Sequence, residues 1–202
     1  MPATDCVTEA AGPLPRAERQ AAVLRGAAQA FARTGYAATS MEDIAAASGI
    51  TKLIVYRHFD SKEDLYRAVL QRVFDQLAEA FVVGIADPSD DAVGARALLA
   101  AARYDPGGFR LLWRHAAREP QFAAYASELR EHAVSASRAL LADWVAPDLA
   151  EWAAQTCVGY LVEAVLNWLE YGDAARDAEF VELATGALRS GISAWSATPS
   201  VL

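Results

Sequence analysis

Residues 39–65 read TSMEDIAAASGITKLIVYRHFDSKEDL, and the capping and turn residues in this run decide the fold. Thr39 followed three residues on by Glu42 has the spacing of a capping box, which starts a helix near Ser40. Ile44 and Ala45 fall on its inward face. Ser48-Gly49 ends it, the glycine supplying a left-handed residue with no Cβ to clash. Thr51 stands as N-cap to a second helix carrying Lys52, Leu53, Ile54, Val55, Tyr56 and Arg57. Val55 and Phe59, four apart, point inward, which turns Tyr56 and Arg57 outward. Ser61 with Asp64 repeats the capping pattern and opens a third, long helix. Two short helices joined by a Gly-containing turn form a helix-turn-helix, about residues 39–58, whose second helix is shaped for a DNA major groove.

The run Thr39…Ile44-Ala45…Gly49-Ile50-Thr51…Val55-Tyr56…Phe59…Ser61-Lys62-Glu63…Leu65 resembles the DNA-binding signature of the TetR (tetracycline-repressor-like) transcriptional regulators. With the helix before it, the resemblance covers about residues 16–76, at fixed spacing and without a gap. It implies a DNA-facing set of Thr39, Ser40, Thr51, Lys52, Leu53, Ile54, Tyr56, Arg57, His58 and Lys62. Lys52, in the first turn, can reach guanine O6 or N7. The Tyr56 hydroxyl beside Arg57 suits phosphate. The resemblance places His58 and Lys62 at phosphates, and Lys62 also sits at a helix N-terminus that favours an anion. Lys52, Arg57 and Lys62 fit an ordinary solvated face as well. One departure stands out: the family has small or hydroxyl residues where this chain has Leu53 and Ile54. Two aliphatics there either press on thymine methyls or tuck one side chain into the core.

The 202 residues carry 54% hydrophobic and 22% charged side chains, which argues for a buried globule rather than disorder. Net charge is −8 but unevenly placed. Residues 16–72 hold nine Lys+Arg against six Asp+Glu, and the remainder nine against twenty. A basic end on an acidic body suits a nucleic-acid partner. No apolar run reaches the roughly 18–20 residues that span a bilayer, and the N-terminus lacks a signal-peptide pattern, so the expectation is a cytoplasmic protein with no membrane contact. Cys6 and Cys157 imply neither a disulfide framework nor a zinc site.

The periodicity predicts an all-α chain of about nine helices. Residues 1–15 read as a disordered arm. Arg16 to Thr34 is amphipathic and ends at Gly35, and 16–76 forms a three-helix head with the start of the long helix. That helix runs from Ser61 to about Ala86, where Asp87-Pro88-Ser89 stops it. Residues 77–196, which the resemblance makes a ligand-binding and dimerisation domain, read as helices over Asp91–Tyr104, Phe109–Arg118, Pro120–Val145, Asp148–Tyr171 and Asp177–Trp195. Asp105-Pro106-Gly107-Gly108 reads as a helix stop, and 197–202 as a tail.

In the body, Tyr104, Phe109, Trp113, Phe122, Tyr125 and Trp144 are dense in aromatics. Such a stripe suits a core, and the resemblance implies an effector pocket lined by it. Arg103, Arg110 and Arg114 nearby fit either an acidic ligand or a charged surface. The last two helices show apolar stripes that fit either the monomer core or, as the resemblance implies, a four-helix dimer contact through Tyr160, Ala164, Trp168, Phe180, Ala184, Ala187, Leu188, Gly191 and Trp195. The i, i+4 pairs His115/Glu119 and Glu128/His132 read as surface pairs rather than metal ligands. No nucleophile elbow, phosphate loop or HExxH motif is present, so neither an enzyme nor a cofactor is expected. The reading is a homodimeric repressor on a near-palindromic double-stranded operator, released by a small apolar or aromatic effector. A DNA-binding regulator without a ligand, and a helical enzyme or carrier, are the alternatives.

Overall fold

A computed structural model of the chain describes residues 15–87 and 90–196. The expected tail, the expected arm apart from Pro15, and Pro88-Ser89 of the expected helix stop lie outside them. The described residues form helices α1 (Arg16–Ala38), α2 (Met41–Ser48), α3 (Lys52–His58), α4 (Lys62–Ile85), α5 (Val93–Tyr104), α6 (Pro106–Arg110), α7 (Pro120–Leu141), α8 (Ala150–Tyr171) and α9 (Asp177–Ser196), and no strand. A π-helical turn, Leu111–His115, and a 3-10 turn, Ala116–Arg118, join α6 to α7.

α1 buries Val23, Leu24, Ala27, Ala28 and Phe31 in the head, where Ile44 of α2 and Val55 of α3 are also fully enclosed. Gly35 breaks the helical path at φ 80, so the last residues of α1 turn back and place Tyr36 under α4. Leu65, Val69, Val73 and Leu77 recur every four residues along α4 and are all buried, and Phe81 extends the row half-buried. That row makes one hydrophobic core continuous from Val23 and Ile44 to Val165 and Phe180. The boundary expected at residue 76 therefore falls inside α4, with no linker there. A smaller cluster of Val134, Leu141, Val145, Ala153, Ala154 and Cys157 closes the far end.

Several expected punctuation marks move. Asp105-Pro106 starts a helix instead of only ending one: the Asp105 carboxylate accepts from Gly108 N at 2.9 Å, and Pro at the first helical position has no N–H to lose. α7 stops at Leu141, short of Val145, and α8 has Leu149 rather than Asp148 at its N-cap. Ion pairs lock the body's helices together. Arg103 on α5 forks onto Asp177 at 2.9 and 2.7 Å, and the Trp168 indole donates to the same carboxylate at 2.8 Å. These bonds hold the Asp177 carboxyl below its ordinary pKa, the Arg103 bond most, against the opposing effect of burial.

Candidate nucleic-acid interface

The head's outer face is built from the turn between α2 and α3. Ser40 caps α2: its hydroxyl accepts from Asp43 N at 3.1 Å, and the Asp43 carboxylate accepts from Ser40 N at 2.9 Å. The capping box thus lies one residue beyond the Thr39/Glu42 pair. Thr39 is turned the other way, its hydroxyl donating back to Gly35 O of α1 at 2.7 Å. Gly49 takes φ 66 as predicted and turns the chain into α3. Thr51 is the N-cap residue of α3 but makes no side-chain capping bond.

A close approach that sequence reasoning missed holds α2 against α1. A Cβ placed on Gly26 would meet Ser48 N at 2.7 Å and Ser48 Cα at 2.8 Å. The glycine lets the two backbones nearly touch and so sets the tilt of the helix-turn-helix on its support. A glycine inside an amphipathic helix was the available signal.

The ten expected DNA-facing residues divide once placed. Thr51, Lys52, Leu53, Tyr56 and Arg57 are exposed on or beside α3, and Ser40 and His58 are half-buried at its flanks. Ile54 is half-buried and lines a shallow recess with Arg19, Ala45, Ala46 and Ile50; its partial burial favours the tucked reading for that aliphatic. Thr39 is only 2% exposed, so its side chain cannot reach DNA; it ties the end of α1 to the start of α2. Lys62 also departs from expectation. Its ammonium donates to Tyr36 O and Thr39 O at 2.9 Å each and to Ala37 O at 3.4 Å, and lies 4.4 Å from the Tyr36 ring centroid. These are the carbonyls left open at the C-terminal end of α1, where a cation is favoured, so Lys62 turns inward as a clamp rather than out toward a phosphate.

Electrostatics shape the rest of the face. Lys52 is paired with Glu42 of α2, whose carboxyl is held below its ordinary pKa by that bond. Desolvation first, and then the nearby Arg16 and Arg19, lower the pKa of His58. The start of α1 and the end of α3 therefore lie together as one basic edge, on which His58 is held neutral more firmly at neutral pH.

Behind the head, an aromatic stack joins it to the body. Tyr66 of α4 lies between Phe31 (4.9 Å between centroids), Tyr36 (5.3 Å) and Phe122 of α7 (4.2 Å, stacked). Phe122 was expected in an effector pocket and is instead fully buried in this junction. The other expected pocket residues also go elsewhere. Phe109 and Trp113 pack on each other in the core, Tyr125 bonds Gln71 at 2.5 Å, and Tyr104 is exposed beneath Arg72. Among the six, Trp144 alone borders the body's cavity. That cavity has a volume of about 760 Å³ and lies between α4, α5, α7, α8 and α9. Ala78, Gly94, Ala97, Ala133 and Ala136 line it together with Phe74, Phe81 and Leu161. Large side chains fill space by packing on one another; an opening forms where small ones face each other. Arg103 and Arg114 are paired with Asp177 and Glu163, which favours the surface-charge reading over an acidic ligand.

The expected dimer residues divide as well. Phe180 and Ala184 are buried in the monomer core and offer no free face, and half-buried Trp168 stacks on Phe180 at 5.1 Å. Leu188 and Trp195 are half-buried against the body, Ala164 and Gly191 half-buried, and Tyr160 and Ala187 exposed. Leu183, 64% exposed, and Trp152 share the open faces of α8 and α9.

Among the described residues no group of three His, Cys, Asp or Glu is placed to hold a metal, and no helix is long and apolar enough to cross a membrane. A family profile for bacterial regulatory proteins of the tetR family matches residues 23–69, the segment that builds this face. The HTH-type transcriptional activator FasR of Mycolicibacterium smegmatis is 37% identical over 116 residues, 55% of this chain and 53% of that protein. The transcriptional repressor ComR of Escherichia coli is 39% identical over 75 residues, 37% of this chain and 35% of that one. The chain thus spans about half the length of the first relative and about a third of the second. In structure it is similar to a TetR-like transcriptional regulator from Rhodococcus sp. RHA1 (TM-score 0.74, 22% identity, 90% of this chain and 99% of that one). It is also similar to the fatty acid degradation regulator FadR from Bacillus halodurans (TM-score 0.67, 18% identity, 89% and 96%). Residues 23–69 thus match the DNA-binding segment of the bacterial tetR-family regulators, and the described chain has the fold of TetR-like transcriptional regulators.

Proposed function

We propose that the chain acts as a homodimeric repressor that binds a near-palindromic operator through α3 and is released by a mainly apolar ligand held in the body cavity. The observation that carries this reading is the double role of α4. Its first turns are clamped to the head by Lys62 and the Tyr66 stack, while Phe74, Leu77 and Phe81 farther along it wall the cavity. A ligand that spreads those walls moves a helix fixed to the DNA-facing head. Two copies of α3 must sit about 34–36 Å apart to enter successive major grooves, so a tilt of α4 spoils both half-sites together. A ligand that prefers the free form tenfold weakens operator binding tenfold, about 1.4 kcal/mol.

The exposed Tyr160, Leu183 and Ala187 support the dimer contact through α8 and α9. On both helices glycines leave room for close approach: a Cβ on Gly159 or Gly186 would meet nothing within 4 Å. Because FasR is named an activator, activation is a second reading; the same head serves either sign, depending on where the operator lies relative to the promoter.

The test is a mobility shift on the DNA upstream of its own gene, with sedimentation of the protein and promoter-reporter output measured alongside. The proposal predicts a dimer that shifts this DNA, is released by apolar compounds that quench tryptophan fluorescence, and lowers reporter output until the compound is added. A monomer, or DNA affinity unaltered by every cavity-binding compound, contradicts it. Reporter output raised by the protein selects activation.

A further inference from the structure

We infer that Leu53 is a base-reading residue whose partner is the 5-methyl group of a thymine, one per half-site. This rests on the operator-binding reading above. Among the described residues of the head, Leu53 and Tyr56 are the large hydrophobic side chains left exposed, Leu53 at 63%. Leu53 lies in the first turn of α3, the part of such a helix that meets base edges. Its two apparent competitors are engaged elsewhere. Lys52 is paired with Glu42, which draws its ammonium toward α2, and Ile54 is half-buried, its side chain part of the wall of a shallow recess with Ile50 and Arg19. The residues exposed around Leu53 are Thr51, Lys52, Tyr56 and Arg57. One leucine ringed by polar and basic groups is too narrow an apolar patch for a protein or lipid partner, and the ring has the charge that phosphates complement. Within the major groove the thymine C5-methyl is the apolar group that a base edge presents. A leucine pressed on it removes both apolar surfaces from water, worth roughly fourfold in affinity for one methyl by the usual increment per buried carbon.

The experiment starts from a duplex selected by the wild-type protein out of a random-sequence pool. Each thymine is replaced singly by deoxyuridine, which deletes the methyl and leaves the hydrogen-bonding edge intact. Affinities are measured for wild type and for Leu53→Ala. We expect roughly fourfold weaker wild-type binding at one thymine in each half-site, and no effect of the same replacement on Leu53→Ala. The wild-type series needs no variant to fold. If no deoxyuridine position weakens wild-type binding, or if Leu53→Ala keeps the same methyl sensitivity, the assignment is overturned while operator binding stands. If the wild-type protein selects no sequence at all, the operator reading falls and takes this inference with it.

Discussion

Replacing Lys62 by methionine separates a clamp from a phosphate contact. Methionine keeps an aliphatic stem over Tyr36 and deletes the ammonium. Two charge-assisted bonds at 2.9 Å to Tyr36 O and Thr39 O disappear, together with a cation–π contact at 4.4 Å and a weaker bond to Ala37 O. Bonds of this type contribute about 1.5–3 kcal/mol each and a partly exposed cation–π contact about 0.5–1 kcal/mol. Lys62 is half-buried, so water replaces part of what is lost. We expect a loss of about 2–4 kcal/mol in urea unfolding at fixed protein concentration, a large share of the ~5–15 kcal/mol that holds a domain together. A lysine on a phosphate behaves differently: its removal flattens the plot of log affinity against log salt by about 0.9 per contact, nearly two for a dimer. The clamp predicts that operator affinity falls with little change in that slope, while Arg57→Ala flattens it. An unaltered urea midpoint combined with a flattened slope for Lys62→Met would refute the reasoning.

Three further outcomes follow from the same contacts. Ala136→Trp puts a large ring into the cavity and should abolish binding of effector compounds while leaving operator affinity within about twofold (about 0.4 kcal/mol); titration by tryptophan fluorescence and mobility shift checks both, and normal ligand binding places the effector elsewhere. Gly26→Ala adds a methyl 2.7–2.8 Å from Ser48 backbone atoms, so it should destabilise the head by about 1–3 kcal/mol and weaken DNA binding, whereas the same change at Gly186, where a Cβ meets nothing within 4 Å, should not unfold the chain. The Asp177 carboxyl has a depressed folded-state pKa, so its tie to Arg103 and Trp168 stabilises the fold above the ordinary value of 3.8 and is lost as pH falls from there through the lower folded value; Asp177→Asn should remove that part of the acid transition in a pH-dependent melt.

The helix-turn-helix was legible in the chain because its signals are local. A capping serine with its acidic partner and a glycine at φ 66 each act within one or two turns of backbone, an apolar row recurring every four residues lies within a single helix, and the helices form where the sequence places them. Even the capping box that slipped from Thr39 to Ser40 moved by a single residue, displaced by a hydroxyl bond back to α1. What the sequence by itself determined was therefore the all-α architecture, the position of α3 and the basic end. Tertiary structure decided where side chains with two suitable environments go. Lys62 meets open carbonyls that exist only once α1 bends at Gly35. Phe122 finds Tyr66 and Tyr36 from two other helices, and Phe180 is taken by the monomer core. The cavity is lined by side chains from α4, α5, α7, α8 and α9, small ones such as Ala78 and Gly94 beside large ones such as Phe74 and Leu161, with no local signature in common. Space between helices belongs to no single segment, and neither its size nor its lining is written in the periodicity of any one of them.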